Sequence, residues 1–162
     1  MSWSYSRISS NWKGSTTMAP NGEKIVVFAS HVWEVNSDGI CNQAGSDWPN
    51  TVAATTNGNF IYAIRPDGSI YKLRTSNYTV SKWIDAVQSE SWSSTRSITV
   101  IGNYAYLVNG NKLFAYDISL TIVDTDTGET TVVHSNNWHK ILTGCATSST
   151  MYAVFDSEEL WK

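Results

Sequence analysis

The sequence predicts an all-β fold built from four copies of one unit, closed into a ring. Three observations predict it. Trp12, Trp48, Trp92 and Trp138 are each followed fourteen positions later by Val26, Tyr62, Tyr106 and Tyr152. A fixed period of this length marks a solenoid, a propeller or an array. Two further columns keep step: Gly22, Gly58, Gly102 and Ser148 stand ten after each Trp, and Trp33, Tyr71, Phe114 and Trp161 stand seven to nine after the second column. Third, the unit lengths close on themselves. Units 12–47, 48–91 and 92–137 hold 36, 44 and 46 residues, whereas 138–162 holds 25, and residues 1–11 restore it to 36. A ring uses such an offset, because an N-terminal strand that completes the last unit removes an open sheet edge. The expectation is a small four-bladed β-propeller, one domain over residues 1–162, with its N-terminal strand closing the last blade.

The elements follow from local chemistry. In the first unit, Ile25-Val26-Val27-Phe28 and Val32-Trp33-Glu34-Val35 read as strands, and Asn36-Ser37-Asp38-Gly39 as a turn. The second unit opens with Val52-Ala53-Ala54, small and apolar as a crowded inner strand requires. Asn57-Gly58-Asn59 turns it into Phe60-Ile61-Tyr62-Ala63-Ile64, a β-branched and aromatic run. Pro66-Asp67-Gly68 turns again into Ile70-Tyr71-Lys72-Leu73, which alternates apolar and polar. A fourth strand is expected over Tyr78–Val87. The third unit repeats the plan with Tyr104–Val108, the Asn109-Gly110 turn and Leu113–Tyr116. Asp124–Glu129 reads as a hairpin tip outside the repeat. The fourth has Met151–Phe155 and ends in Leu160-Trp161. No stretch keeps a helical period.

Composition narrows the function. Charged residues make up 15% of the 162, and the net charge is −3. Without a basic stripe, nucleic acid and anionic membranes are poor partners. No apolar run approaches the roughly 20 residues of a membrane span, so membrane insertion is not expected. MSWSYSRISS lacks a conventional signal peptide's apolar core, so a cytoplasmic or unconventionally secreted protein is expected. Cys41 and Cys145 fall at different points of their units and are expected as free thiols.

The run Ile61-Tyr62-Ala63-Ile64-Arg65-Pro66-Asp67-Gly68-Ser69-Ile70-Tyr71-Lys72-Leu73 resembles the tectonin and tachylectin group of β-propeller lectins, and Val32-Trp33-Glu34-Val35-Asn36-Ser37-Asp38-Gly39-Ile40 carries a similar string one strand later. The resemblance implies a non-enzymatic lectin with several similar weak sites per ring, acting by avidity on glycans of cell or microbial surfaces. Avidity of this kind raises effective affinity by roughly 10²–10⁴.

The residues supply a matching site. Each leading Trp is preceded by a polar partner for sugar hydroxyls: Asn11 before Trp12, Asp47 before Trp48, Ser91 before Trp92, Asn137 before Trp138. An aromatic face stacks on the C–H face of a sugar while neighbouring polar groups hold its hydroxyls. The competing reading makes these tryptophans packing wedges between blades. Trp3 and Trp83, in outer strands, are expected as an exposed contact or self-association surface. No cofactor and no metal are expected: the His residues lack metal spacing, and Asp124, Asp126 and Glu129 lack the later bidentate ligand of a calcium loop. No Gly-x-Ser-x-Gly elbow occurs, so serine hydrolase chemistry has no support. Two alternatives remain, a protein–protein interaction scaffold and a homodimer in which a second chain completes a larger ring.

Overall fold

The computed structural model describes residues 12–84, 92–110, 112–119, 131–134, 141–146, 149–155 and 160–161. These form four antiparallel sheets and a single 3-10 turn, Trp92–Ser94. The first sheet runs β1 (Thr17–Asn21), β2 (Lys24–Phe28), β3 (Val32–Val35) and β4 (Cys41–Gly45). The second runs β5 (Ala53–Thr56), β6 (Phe60–Ile64), β7 (Ile70–Arg74) and β8 (Val80–Ile84). The third runs β9 (Thr95–Ile101), β10 (Tyr104–Asn109), β11 (Lys112–Asp117) and β12 (Thr131–His134). The fourth has β13 (Ile141–Ala146), β14 (Met151–Phe155) and β15 (Leu160–Trp161). In every sheet, chain order is spatial order, so each sheet is a meander. Each sheet falls inside one sequence unit.

The aromatic column of the sequence is a column of the structure. Trp33 pairs with Val27, Tyr71 with Ala63, Phe114 with Leu107 and Trp161 with Ala153, always the residue that follows the Val26, Tyr62, Tyr106, Tyr152 column. The glycine column has a backbone cause. Gly22, Gly58 and Gly102 have φ of 61°, 91° and 58°, the left-handed region that a Cβ disfavours, and each turns the first strand of its sheet into the second.

Strand alternation gives each sheet two faces, and the sheets stack through them. Leading strands lie side by side, β1 against β5, β5 against β9 and β9 against β13. Ala19, Val26, Phe28 and Val32 of the first sheet pack on Ile61, Ala63 and Leu73 of the second. The other face of the second sheet, with Ala53, Tyr62, Ile64 and Ile70, packs on Ile98, Ala105, Leu107, Phe114 and Tyr116 of the third. Val108 and Leu113 of the third meet Ala153 of the fourth. Each sheet thus shows one row forwards and the alternate row backwards. Small residues at Ala19, Ala53 and Ala63 let the sheets approach.

Two expectations change. The fourth strand of the second unit begins at Val80, because Tyr78 takes φ 55° and closes a turn, its N–H donating to Arg74 O at 2.7 Å. Trp83 is buried rather than exposed: its ring meets Tyr62 at 5.0 Å and Tyr116 at 6.2 Å between the second and third sheets. The closing N-terminal strand, Trp3, and the tip Asp124–Glu129 lie outside the described residues.

Candidate functional site at the sheet junctions

Trp48 lies between β4 and β5 and wedges the first two sheets apart. Its ring meets Phe28 of the first sheet edge-on at 5.6 Å and Tyr71 of the second at 5.7 Å. Its backbone N–H donates to Ser30 O at 3.1 Å, and its carbonyl accepts from Thr51 Oγ1 at 3.1 Å. Trp92 takes the corresponding place one junction on, edge-on to Phe114 at 4.9 Å and Tyr116 at 5.5 Å, both of the third sheet. The two tryptophans are only 3% and 0% exposed, so neither offers a face to a ligand. Of the two readings of this column, packing is the one their burial fits. Trp12 differs, being half-buried.

Asp47 is exposed, with φ 60°, and presents its carboxylate beside Trp48 in the chain. Asn11, Ser91, Asn137 and Trp138 lie outside the described residues. Pattern reading missed a hydroxyl three residues after each described leading Trp: Ser15, Thr51 and Thr95. Thr51 bonds back to its Trp, and Ser15 N donates to Trp12 O at 3.1 Å. The buried Ser15 Oγ and Thr95 Oγ1 have no hydrogen-bond partner among the described residues, and neither has Trp92 Nε1.

Cations line the same junctions. Arg65, at the end of β6, sits over Trp48 at 5.3 Å and over Tyr71 at 5.7 Å. Lys72 stands over Trp83 at 4.9 Å and Tyr62 at 5.6 Å, and its Nζ donates to Ile118 O of the third sheet at 2.9 Å. Burial holds the Lys72 ammonium below its usual range, and the nearby Asp117 charge opposes that shift. Such stacking contributes about 0.5–2 kcal/mol per contact, more where water is excluded. These residues occur once each rather than in every unit, which is why periodicity did not reveal them.

Across the first junction runs a polar clasp. Lys24 Nζ donates to Glu34 Oε1 at 2.7 Å, Tyr78 OH donates to Glu34 Oε2 at 2.5 Å, and Asn21 Nδ2 donates to Tyr78 OH at 3.0 Å. Lys24 first, and Tyr78 next, hold the Glu34 carboxyl below the usual range. Among the described residues there is no grouping of three or more His, Cys, Asp or Glu suited to a metal ion. No helix among them is long and apolar enough to cross a membrane. Cys41 donates its thiol hydrogen to Gly39 O at 3.3 Å, and Cys145 is exposed.

With this geometry in hand, comparison with known proteins defines the class of fold. No family model matches the sequence, and no curated protein does. Solved structures do. The computationally designed Ika4 protein superposes with a TM-score of 0.62 at 10% identity, over 99% of this chain and 97% of its own. A protein from work on the de novo evolutionary emergence of a symmetrical protein superposes at 0.70 and 14% identity, over 93% of this chain and 71% of its own. An auxiliary nutrient binding protein from Bacteroides thetaiotaomicron superposes at 0.60 and 14% identity, over 90% of this chain but only 38% of its own. At these identities the likeness shows the fold alone: an all-β array of repeated antiparallel sheets, of the propeller-like kind.

Proposed function

We propose that this chain is a non-enzymatic carbohydrate-binding protein on a closed four-bladed propeller, its sites lying at the junctions between blades. The observation that carries the reading is the make-up of the first junction. An aromatic pair, Trp48 and Tyr71, lies beside a half-buried cation, Arg65, and the exposed carboxylate of Asp47 precedes Trp48. Apolar ring surface beside a few polar groups is what sugar recognition uses. Because Trp48 and Trp92 are buried, they back each site from within the junction and do not touch the ligand. Half-exposed neighbours such as Tyr71 supply the contact surface. Asn11, Asp47, Ser91 and Asn137 supply hydroxyl partners, and Trp12 and Trp138 complete the set. The strings around Val32–Ile40 and Ile61–Leu73 add the tectonin and tachylectin resemblance to this reading.

Ring closure has its own support. In the second and third sheets, Ala63 and Leu107 belong to the row that faces the preceding sheet. Their counterpart in the first sheet, Val27, and its row-mate Val35 are 7% and 2% exposed, although no described sheet precedes them in the chain. Something covers that row, and the last blade, completed by residues 1–11, is positioned in sequence to do so.

A glycan array on the full chain tests the function. We expect a signal for a restricted sugar class, weak for monovalent sugar and strong for agglutination of glycan-coated particles, with Tyr71→Ala and Asp47→Ala each weakening it while the protein stays folded. No signal across a broad array overturns the reading. One observation favours the scaffold alternative. Met18 at 61% and Leu160 at 70% exposure lie on the two rows that flank the closure seam. Specific capture of a protein partner or a second copy, lost in Met18→Lys and Leu160→Lys, together with a blank array, would select it.

A further inference from the structure

We propose that the junction of the first and second sheets is a carboxylate-binding subsite whose ligand is an acidic sugar, one carrying a uronic or sialic acid. The proposal rests on the carbohydrate reading and narrows it to one ligand class at one place.

Arg65 is the anchor. Its guanidinium carbon lies 5.3 Å from the Trp48 centroid and 5.7 Å from that of Tyr71, and those two rings meet edge to face at 5.7 Å. Its backbone is fixed as well: Arg65 N donates to Ser69 O at 2.9 Å, and Arg65 O accepts from Gly68 N at 2.9 Å. The Arg-Pro-Asp-Gly turn therefore sets the root of the side chain, and two rings confine its guanidinium. Yet the guanidinium donates no hydrogen bond and joins no ion pair among the described residues. Stacking uses the ring faces and leaves the N–H fork unspent. A planar fork, held in place and half-buried, matches a carboxylate through two parallel N–H···O bonds.

A second cation stands on the same ring: Lys82 Nζ lies 5.9 Å from the Tyr71 centroid. Of the acids nearby in the chain, Asp67 Oδ1 accepts Ser69 N at 2.9 Å, while the exposed Asp47, whose Oδ2 accepts Ser46 Oγ at 3.5 Å, keeps acceptor capacity for the sugar's hydroxyls. A sugar acid offers both halves of the match, an apolar ring face for Tyr71 and a carboxylate for Arg65.

The subsite is single. Ala29, Asn109 and Phe155 occupy the place of Arg65 in the other units. The Trp92–Phe114 pair keeps the edge-to-face geometry at 4.9 Å but has Asn109 where Arg65 would stand. Neutral sugar sites repeat around the ring in this scheme, whereas the acid site occurs once.

Calorimetry on the full chain with methyl β-glucuronide and methyl β-glucoside tests this, since the two differ only at the carboxylate. We expect the glucuronide to bind about tenfold more tightly, the worth of a charge-assisted pair, with one acid site per chain and a preference that fades with salt. Arg65→Gln removes the preference, and Arg65→Lys, which keeps the charge without the fork, removes most of it. Should Arg65→Gln not fold, the Lys variant and the salt series carry the test alone. Equal binding of the two glycosides by the wild type, or an unchanged preference in Arg65→Gln, overturns the subsite and leaves the lectin reading standing. Acetate competing as well as glucuronide overturns the commitment to a sugar. No binding of any glycan, acidic or neutral, overturns both readings together.

Discussion

Tyr78 donates its phenolic hydrogen to Glu34 Oε2 at 2.5 Å, across the junction between the first and second sheets. The phenol is held in a backbone conformation that costs energy: φ at Tyr78 is 55°. A non-glycine residue in the left-handed region costs about 1–3 kcal/mol. The clasp offsets it, with Asn21 Nδ2 on the phenol oxygen and Lys24 Nζ on the second carboxylate oxygen. Partial burial, aided by the Glu34 hydrogen bond, pushes the Tyr78 phenol up to about 12.

Tyr78→Phe should destabilise the protein by about 1.5–3 kcal/mol, the net worth of a hydrogen bond to a charged group. The difference between wild type and variant should depend on pH in a defined way. The raised phenol pKa makes its contribution fully present below the ordinary value of 10, and lost as pH rises towards about 12. The lowered Glu34 pKa makes its contribution present above the ordinary carboxylate value and lost as pH falls through the depressed one. Urea titrations of both proteins across that range check this. A difference that stays constant with pH sinks the clasp.

Trp92→Ala should cost about 3–5 kcal/mol, as removal of a fully buried indole does, and Trp48→Ala a comparable amount. Trp12→Ala should cost less, because Trp12 is half-buried. Chemical denaturation with intrinsic fluorescence ranks the three. A Trp92→Ala cost under about 1 kcal/mol would contradict its role as a wedge.

Gly102→Ala should destabilise by about 1 kcal/mol through backbone strain alone, since no atom lies within 4 Å of where its Cβ would be. Asn tolerates left-handed φ, so Gly102→Asn should recover part of that loss. Equal melting temperatures for the Ala and Asn variants would show that the φ of 58° is not what selects glycine.

Deleting residues 1–11 should uncover the row of Val27 and Val35, lower the melting temperature and promote self-association through the freed edge. Thermal melts with size-exclusion chromatography read both effects. A monomeric, fully stable deletion variant would show that some other segment covers these valines.

Much of the architecture was legible in the chain. The spacing of Trp12, Trp48 and Trp92 placed the sheet boundaries, and the glycines at 22, 58 and 102 marked where each first strand turns into the second. Both depend on local geometry: strand pleat and left-handed turns act over a few residues and leave a period in the sequence. The aromatic column at Trp33, Tyr71, Phe114 and Trp161 was legible for the same reason, because antiparallel register copies it from sheet to sheet.

The candidate site was less legible. Periodicity singled out the leading tryptophans, yet an identical pattern serves a ligand platform and a packing wedge. Only the stacking of sheets decided that Trp48, Trp83 and Trp92 are buried, because burial depends on what lies across the junction. Arg65 over Trp48 and Tyr71, Lys72 reaching Ile118, and Tyr78 on Glu34 each join residues of adjacent strands or sheets, and none of the three recurs by unit. The sequence by itself determined the repeating β-meander and its turns, since these are short-range and periodic. Tertiary structure decided which aromatics became core and which charged groups met across the junctions, because those contacts join residues far apart in the chain and need occur only once.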